Sequence, residues 1–280
     1  MDIILLLKAL VLGLIEGLTE FLPVSSTGHL ILIGELIDFT GDRSKVFDIA
    51  IQFGAILAIC WEYRKRISYV VRSLTTKRPT QCFVLNVIVA SLPASIIGLL
   101  FESPIKALLF SPVPVSIMLI IGGIILLWVD AIHCRRGNTL YNTRVQSIDE
   151  LTTIDALKIG LAQCLALIPG TSRSGATIVG GLLTDLKRCI AIEFSFFLAI
   201  PLIFGASIYE LVKARSMISA SDSGLFAVGF LTAFASAYAC VRWLLYYIST
   251  HNFALFAWYR IVFGLLVLVI SYFKDLGFNH

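Results

Sequence analysis

Glu16-Gly-Leu-Thr-Glu-Phe-Leu-Pro-Val-Ser-Ser-Thr-Gly-His29 interrupts an apolar run that extends from about residue 2 to 37. An apolar helix carries Glu16 and Glu20 as far as Pro23, where the ring removes a backbone donor and clashes with the preceding turn. Val24, Ser25, Ser26, Thr27, Gly28 and His29 follow, and the leg that resumes to Ile37 is too short to cross a bilayer comfortably. A second stretch has the same build: Ala166-Leu-Ile168 runs into Pro169-Gly-Thr-Ser-Arg-Ser-Gly-Ala-Thr177 and then a short apolar leg. Irregular backbone at membrane depth is tolerated only where protein buries it or where it lines a wet cavity. The two stretches therefore predict broken, re-entrant helical hairpins and mark where a site forms.

The surrounding chain fits that reading. Of 280 residues, 58% are hydrophobic and 14% charged, with a mean hydropathy of +0.90; soluble domains carry far more charge. Apolar runs at about 46–62, 82–102, 114–132, 190–212, 225–248 and 253–273 predict six full spans in an all-α polytopic membrane protein, a single integral domain over 1–280. The N-terminus lacks the pattern of a cleaved secretory signal, so its apolar run is expected to remain in the mature protein. Six cysteines show no paired short spacing, which points to neither a disulfide framework nor a zinc site. Arg64, Lys65, Arg66, Arg72, Lys77 and Arg78 in 63–80, and Arg135, Arg136 and Arg144 in 131–150, mark both segments as cytoplasmic loops rather than as nucleic-acid-binding.

An internal repeat sets the architecture. Gly13, Leu14, Leu18, Ser25 and Gly28 match Gly160, Leu161, Leu165, Ser172 and Gly175 at an offset of 147, with Glu16 opposite Gln163. Ile-Ala-Ile-Gln-Phe at 49–53 matches Ile-Ala-Ile-Glu-Phe at 190–194 at an offset of 141, which also pairs the Gly123 and Gly264 regions. The halves, about 1–132 and 153–273 around a linker at about 133–152, each hold one broken segment (about 2–37 and 153–184) and three full spans. That crossing number is odd, so the second half is expected to be inverted relative to the first, with a polar site at the repeat interface. The segment 213–223 holds only Lys213 and Arg215, which agrees with its lying opposite the basic 63–80.

Each break opens onto the start of a short helix, where free N–H groups and the positive dipole end favour an anion. Ser25, Ser26, Thr171, Ser172 and Ser174 add hydroxyls, the glycines admit close backbone approach, and Arg173 offers a planar fork for phosphate oxygens. The expected ligand is a phosphate or diphosphate. Helix capping and glycine packing would account for the small residues alone, but not for an arginine among them. Glu16 and Glu20 stand one turn apart on one helix face, and two carboxylates in low dielectric call for a divalent cation such as Mg²⁺ or Ca²⁺. His29, one turn beyond Ser25, has the position of a general base or a nucleophile. Gln52, Gln163, Glu193, Arg242 and Arg260 are given no site role, and His133, His251 and His280 are read as loop or terminal residues.

The stretches 16–29 and 169–177 resemble the two signatures of bacterial undecaprenyl-diphosphate phosphatases, the bacitracin-resistance protein family, and neither departs from the pattern. The likeness covers essentially the whole chain, including Phe-Asp-Ile-Ala-Ile-Gln-Phe-Gly at 47–54. It implies hydrolysis of undecaprenyl diphosphate to the monophosphate, recycling the carrier lipid of envelope glycan synthesis, with the site open to the outer face of the inner membrane. By position it implies that Glu16 and Glu20 hold the cation, that Arg173 holds the diphosphate, and that Ser26 or His29 attacks. Ser25, Thr27, Gly28, Gly170, Thr171, Ser172, Ser174, Gly175 and Thr177 would complete the binding shell. The competing class is a lipid-carrier flippase or anion-coupled transporter, which would reuse the paired breaks without needing a nucleophile. The expected partners are a polyprenyl diphosphate lipid and the membrane, with no nucleic acid; a homo-oligomer is left open.

Overall fold

The computed structural model describes residues 3–109, 111–135, 143–213 and 222–275. Linker residues 136–142 with Arg136, residues 214–221 with Arg215, and the terminus with His280 lie outside the described residues. The chain folds into α1 (Ile3–Thr19), α2 (Ser26–Leu36), α3 (Asp42–Glu62), α4 (Arg64–Ser73), α5 (Arg78–Leu109), α6 (Pro112–Arg135), α7 (Thr153–Gln163), α8 (Arg173–Leu183), α9 (Arg188–Lys213), α10 (Ser223–Thr250) and α11 (Ala254–Asp275). No strand forms among the described residues.

Helices α5, α6, α9, α10 and α11 are each long and apolar enough to cross a bilayer, and α3 qualifies only when joined to α4, from which it bends by 73°. This is the all-α polytopic membrane protein expected, with a sixth span that depends on α3. The segment 63–80, read as a loop, is largely helical. Ile67 and Val70 of α4 pack on a buried cluster with Phe83 and Phe197, while Arg64, Lys65 and Arg72 stay exposed. An amphipathic helix of this kind lies along an interface and does not cross it. Leu92 and Ile96 of α5, Ile124 and Trp128 of α6, and Val262, Leu266 and Ile270 of α11 are exposed. These are the apolar belts expected where lipid is the solvent.

Two close helix contacts relate the halves. A side chain at Gly13 of α1 would collide with the Gly229 main chain of α10, and one at Gly160 of α7 would collide with the Ala90 main chain of α5. Small residues at such crossings let backbones approach where no hydrophobic force drives helices together. Gly13→Val is therefore expected to destabilise the fold by about 1–3 kcal/mol or more. A lowered melting temperature in detergent would show it, and unchanged melting would contradict the α1–α10 packing.

The hairpins themselves carry matching backbones: Ser25 and Ser172 have φ of 71° and 72°, and Asp38 and Asp185 have 52° and 67°. All four stand at the offset of 147 found in the sequence. The second hairpin starts on a reciprocal cap, in which Thr152 Oγ1 accepts from Asp155 N at 3.2 Å and Asp155 Oδ2 accepts from Thr152 N at 3.1 Å. A central cluster holds the breaks in place: Phe21 and Val24 pack among Ile178, Leu182 and Phe196, and the Phe21 and Phe196 rings meet edge-on at 5.5 Å. His133, read as a loop residue, lies buried in the last turn of α6, because that apolar helix runs on to Arg135. His251 caps the end of α10 and is exposed.

Candidate active site

Both breaks turn at a serine with positive φ, a conformation uncommon for any residue but glycine and one that persists only where its surroundings enforce it. The enforcement is visible. His29 Nδ1 donates to the Ser25 carbonyl at 2.8 Å, and Ser172 Oγ accepts from Gly175 N at 3.1 Å. Ser174 Oγ then reaches from the second break to the Leu22 carbonyl of the first at 2.7 Å. Residues 20–29 and 169–177 thus form one body, as the sequence requires of a shared site.

Between them lies a cavity of about 120 Å³, lined by Glu20, Ser25, Ser26 and Thr27 from one break and by Pro169, Gly170, Ser172 and Arg173 from the other. A carboxylate, a guanidinium and four hydroxyls on its walls suit it to a charged headgroup. Ser26 Oγ donates to Glu20 Oε2 at 2.5 Å, and Arg173 Nη2 meets Glu20 Oε1 at 3.3 Å. Arg173 Nη1 donates to the Ser195 carbonyl at 3.1 Å, while its Nε is buried without a partner. A hydroxyl, a carboxylate and a guanidinium drawn from two separate breaks therefore meet at one wall of the cavity. A larger cleft of about 680 Å³ lies over α4 and presents Arg64, Lys65, Arg72 and Lys77 with no carboxylate.

Other expected residues stand behind this wall. Ser174 and Thr177 are almost fully buried. The Thr177 hydroxyl faces the Arg173 carbonyl at 3.0 Å and the Ser195 hydroxyl at 2.7 Å, so it supports the arginine's turn. Gly28 packs under Val115, and Thr171 Oγ1 is buried without a partner. Both ring nitrogens of His29 are engaged: Nε2 faces the Tyr259 hydroxyl at 2.7 Å, and the ring stacks on Phe263 at 4.3 Å. Nδ1–H is given to the Ser25 carbonyl, and the Tyr259 hydroxyl, which can donate or accept, occupies Nε2. Gln52 of α3 and Ile203 of α9 line the cavity, and Ser195, Tyr259 and Arg260 brace it. None had been placed in the site. Gln52 and Arg260 carried a signal, each as a polar residue within an apolar run.

Glu16 bears on the cation. Both its carboxylate oxygens are buried without a hydrogen-bond partner, one turn from Glu20. An acceptor in that condition takes a proton or a cation, so the residue fits a metal ligand. Among the described residues no group of three or more His, Cys, Asp or Glu gathers to hold a metal ion. An ion there would complete its shell with water or phosphate oxygens, a habit of Mg²⁺ and Ca²⁺ and not of zinc.

Residues 9–266, which contain both breaks, match the family model described as bacitracin resistance protein BacA. The chain belongs to this family. BacA-family relatives extend the likeness end to end. It is 59% identical over 272 residues to undecaprenyl-diphosphatase 1 of Paraburkholderia xenovorans strain LB400, covering 97% of each chain. Identity is 58% over 272 residues with undecaprenyl-diphosphatase 1 of Burkholderia thailandensis, covering 97% of this chain and 98% of the other. It is 55% over 285 residues with the undecaprenyl-diphosphatase of Cupriavidus metallidurans, covering 97% of each.

Proposed function

We propose that this BacA-family chain hydrolyses undecaprenyl diphosphate to undecaprenyl phosphate and inorganic phosphate in the cavity between its two breaks. The observation that carries the site is the Ser26 hydroxyl on Glu20, whose other carboxylate oxygen meets Arg173 of the opposite hairpin. Recycling of the carrier lipid and bacitracin resistance follow from the same reaction. In the first step Glu20 takes the Ser26 proton as Oγ bonds to the terminal phosphorus. The bond from that phosphorus to the bridging oxygen breaks, and undecaprenyl phosphate leaves with the electron pair. Glu20 hands the proton it took from Ser26 to the departing undecaprenyl phosphate. Water then gives a proton to Glu20 as it attacks the phosphoryl group, and Glu20 returns that proton to Ser26 Oγ as inorganic phosphate leaves.

Arg173 acts on the charge carried by the transferred group. Its 3.3 Å contact to Glu20 is long, and Nε has no partner, so donors remain for phosphoryl oxygens. Glu16 and Glu20 would hold the divalent cation, which supplies further neutralisation of diphosphate charge. His29 holds the Ser25 carbonyl and thereby the turn that presents Ser26.

The inner membrane is the proposed location. Arg66 of α4 pairs with Asp149 at 2.7 Å, so the two basic segments share one end of the molecule, which we assign to the cytoplasm. The family resemblance supports a cavity open to the outer face and halves of opposite orientation. A flippase would reuse this architecture, but transport alone has no use for a hydroxyl set on a carboxylate. The test is phosphate release from undecaprenyl diphosphate by the purified protein in detergent. Release is expected to fall to background with chelator and to return with Mg²⁺ or Ca²⁺, and Glu16→Gln should blunt that return. Release indifferent to chelator would remove the cation; no release under any condition would favour transport.

A further inference from the structure

Arg260 of α11 is 1% exposed, the largest fully buried side chain among the described residues, and no step above uses it. Its guanidinium makes five hydrogen bonds, all to main-chain carbonyls. Nε donates to Leu119 at 3.3 Å and Nη1 to Pro23 at 3.2 Å. Nη2 shares its two hydrogens among the carbonyls of Met118 at 3.3 Å, Gly170 at 3.1 Å and Thr171 at 2.8 Å. Pro23 lies in the first break and Gly170 and Thr171 in the second, so one side chain grips both breaks and ties them to α6.

Breaking a helix frees carbonyls that water cannot reach at this depth, and they need donors. The planar five-donor fork of arginine meets carbonyls converging from three directions, as a lysine cannot. Holding these oxygens on one side also orients the other face of each peptide. In a trans peptide the N–H opposes the preceding C=O, so with the Thr171 carbonyl on Arg260 the Ser172 N–H points the other way. Ser172 lines the cavity. Two glycines make room for the fork: a Cβ at Gly175 would lie 2.8 Å from Nη1, and one at Gly122 would collide with Nη2. Gly175 belongs to the second signature, and the space its missing side chain leaves is taken by Arg260. At the repeat offset of 141, position 119 is a leucine, so the guanidinium has no counterpart and a single residue serves both halves.

We propose that Arg260 is a positioning residue for the hydrolysis: it fixes the two breaks relative to each other, and so sets Ser26 and Glu20 against Arg173. This rests on the reading that the cavity between the breaks is the active site. The test compares purified Arg260→Lys with wild type by kcat and KM for undecaprenyl diphosphate, on the folded fraction isolated by gel filtration. Small misplacements of reacting groups cost about a hundredfold. Arg260→Lys is thus expected to lose about a hundredfold in kcat with KM within about threefold, and in that background Arg173→Ala should cost far less than in wild type. Gly175→Ala presses on Nη1 at 2.8 Å and more lightly on the Ser172 side chain at 3.2 Å; it should lower kcat in the same way, and if it acts through the arginine it should add little to Arg260→Lys. It also serves if Arg260→Lys yields no folded protein. A folded fraction with wild-type kcat in Arg260→Lys or Gly175→Ala would reduce Arg260 to a stability residue and overturn the proposal. The site reading fails separately, if Ser26→Ala and Arg173→Lys leave turnover intact.

Discussion

Arg173→Lys is expected to lower phosphate release from undecaprenyl diphosphate by about a thousandfold, equivalent to about 4 kcal/mol of transition-state stabilisation. In the fold Nη1 is fixed on the Ser195 carbonyl and Nη2 lies beside Glu20, which leaves Nε and part of Nη2 for the phosphoryl oxygens. An ammonium has one nitrogen and cannot keep the Ser195 anchor while reaching both Glu20 and the substrate. The loss should fall mainly on kcat, because the contact matters most as charge spreads over the transferred group. It is measured by steady-state phosphate release at saturating lipid and cation. Turnover at the wild-type rate would remove Arg173 from the mechanism.

Ser26→Ala is expected to lose about ten-thousandfold or more, because it removes the hydroxyl that donates to Glu20 and attacks in the proposed mechanism. His29→Asn should lose no more than about tenfold, the worth of roughly one hydrogen bond. The asparagine amide can still donate to the Ser25 carbonyl, and what disappears is the contact with Tyr259. The sequence left these two residues as candidates for the attack, and the proposed mechanism gives it to Ser26 because His29 is held between the Ser25 carbonyl and Tyr259. Acid-quenched single turnover with label on the terminal phosphorus checks the pair, with label expected on the wild-type chain and absent from Ser26→Ala. Activity in Ser26→Ala together with a dead His29→Asn would transfer the attack to the histidine.

The breaks were legible in the sequence because their cause is local. Pro23 and Pro169 keep their helices from running on, since α1 stops at Thr19 and the turn after α7 at Leu167, and an arginine and a histidine among the small residues that follow set these stretches apart. The apolar runs gave the spans for the same reason. Orientation around a helix is another matter, since it depends on what packs alongside. Residues 25–29 do not reveal that His29 turns to Tyr259 and Phe263, more than two hundred positions away. Nor do residues 169–177 reveal that Ser174 faces Leu22 and not the ligand. Arg260 looked like one more polar residue in an apolar run, and only the convergence of five carbonyls gives it a role. The basic stretch after Tyr63 was taken for a loop because its charge count hid an amphipathic period that becomes visible once Ile67 and Val70 have a core to meet.

The central claim is that the space between the two hairpins is where the diphosphate is cleaved. Thr27 and Ala166 line that space from opposite breaks. In a chain whose six native cysteines are replaced, Thr27→Cys and Ala166→Cys can be joined by a short, reducible bis-thiol reagent. Phosphate release should fall to background on cross-linking and recover on reduction; full turnover in the cross-linked protein would place the chemistry elsewhere.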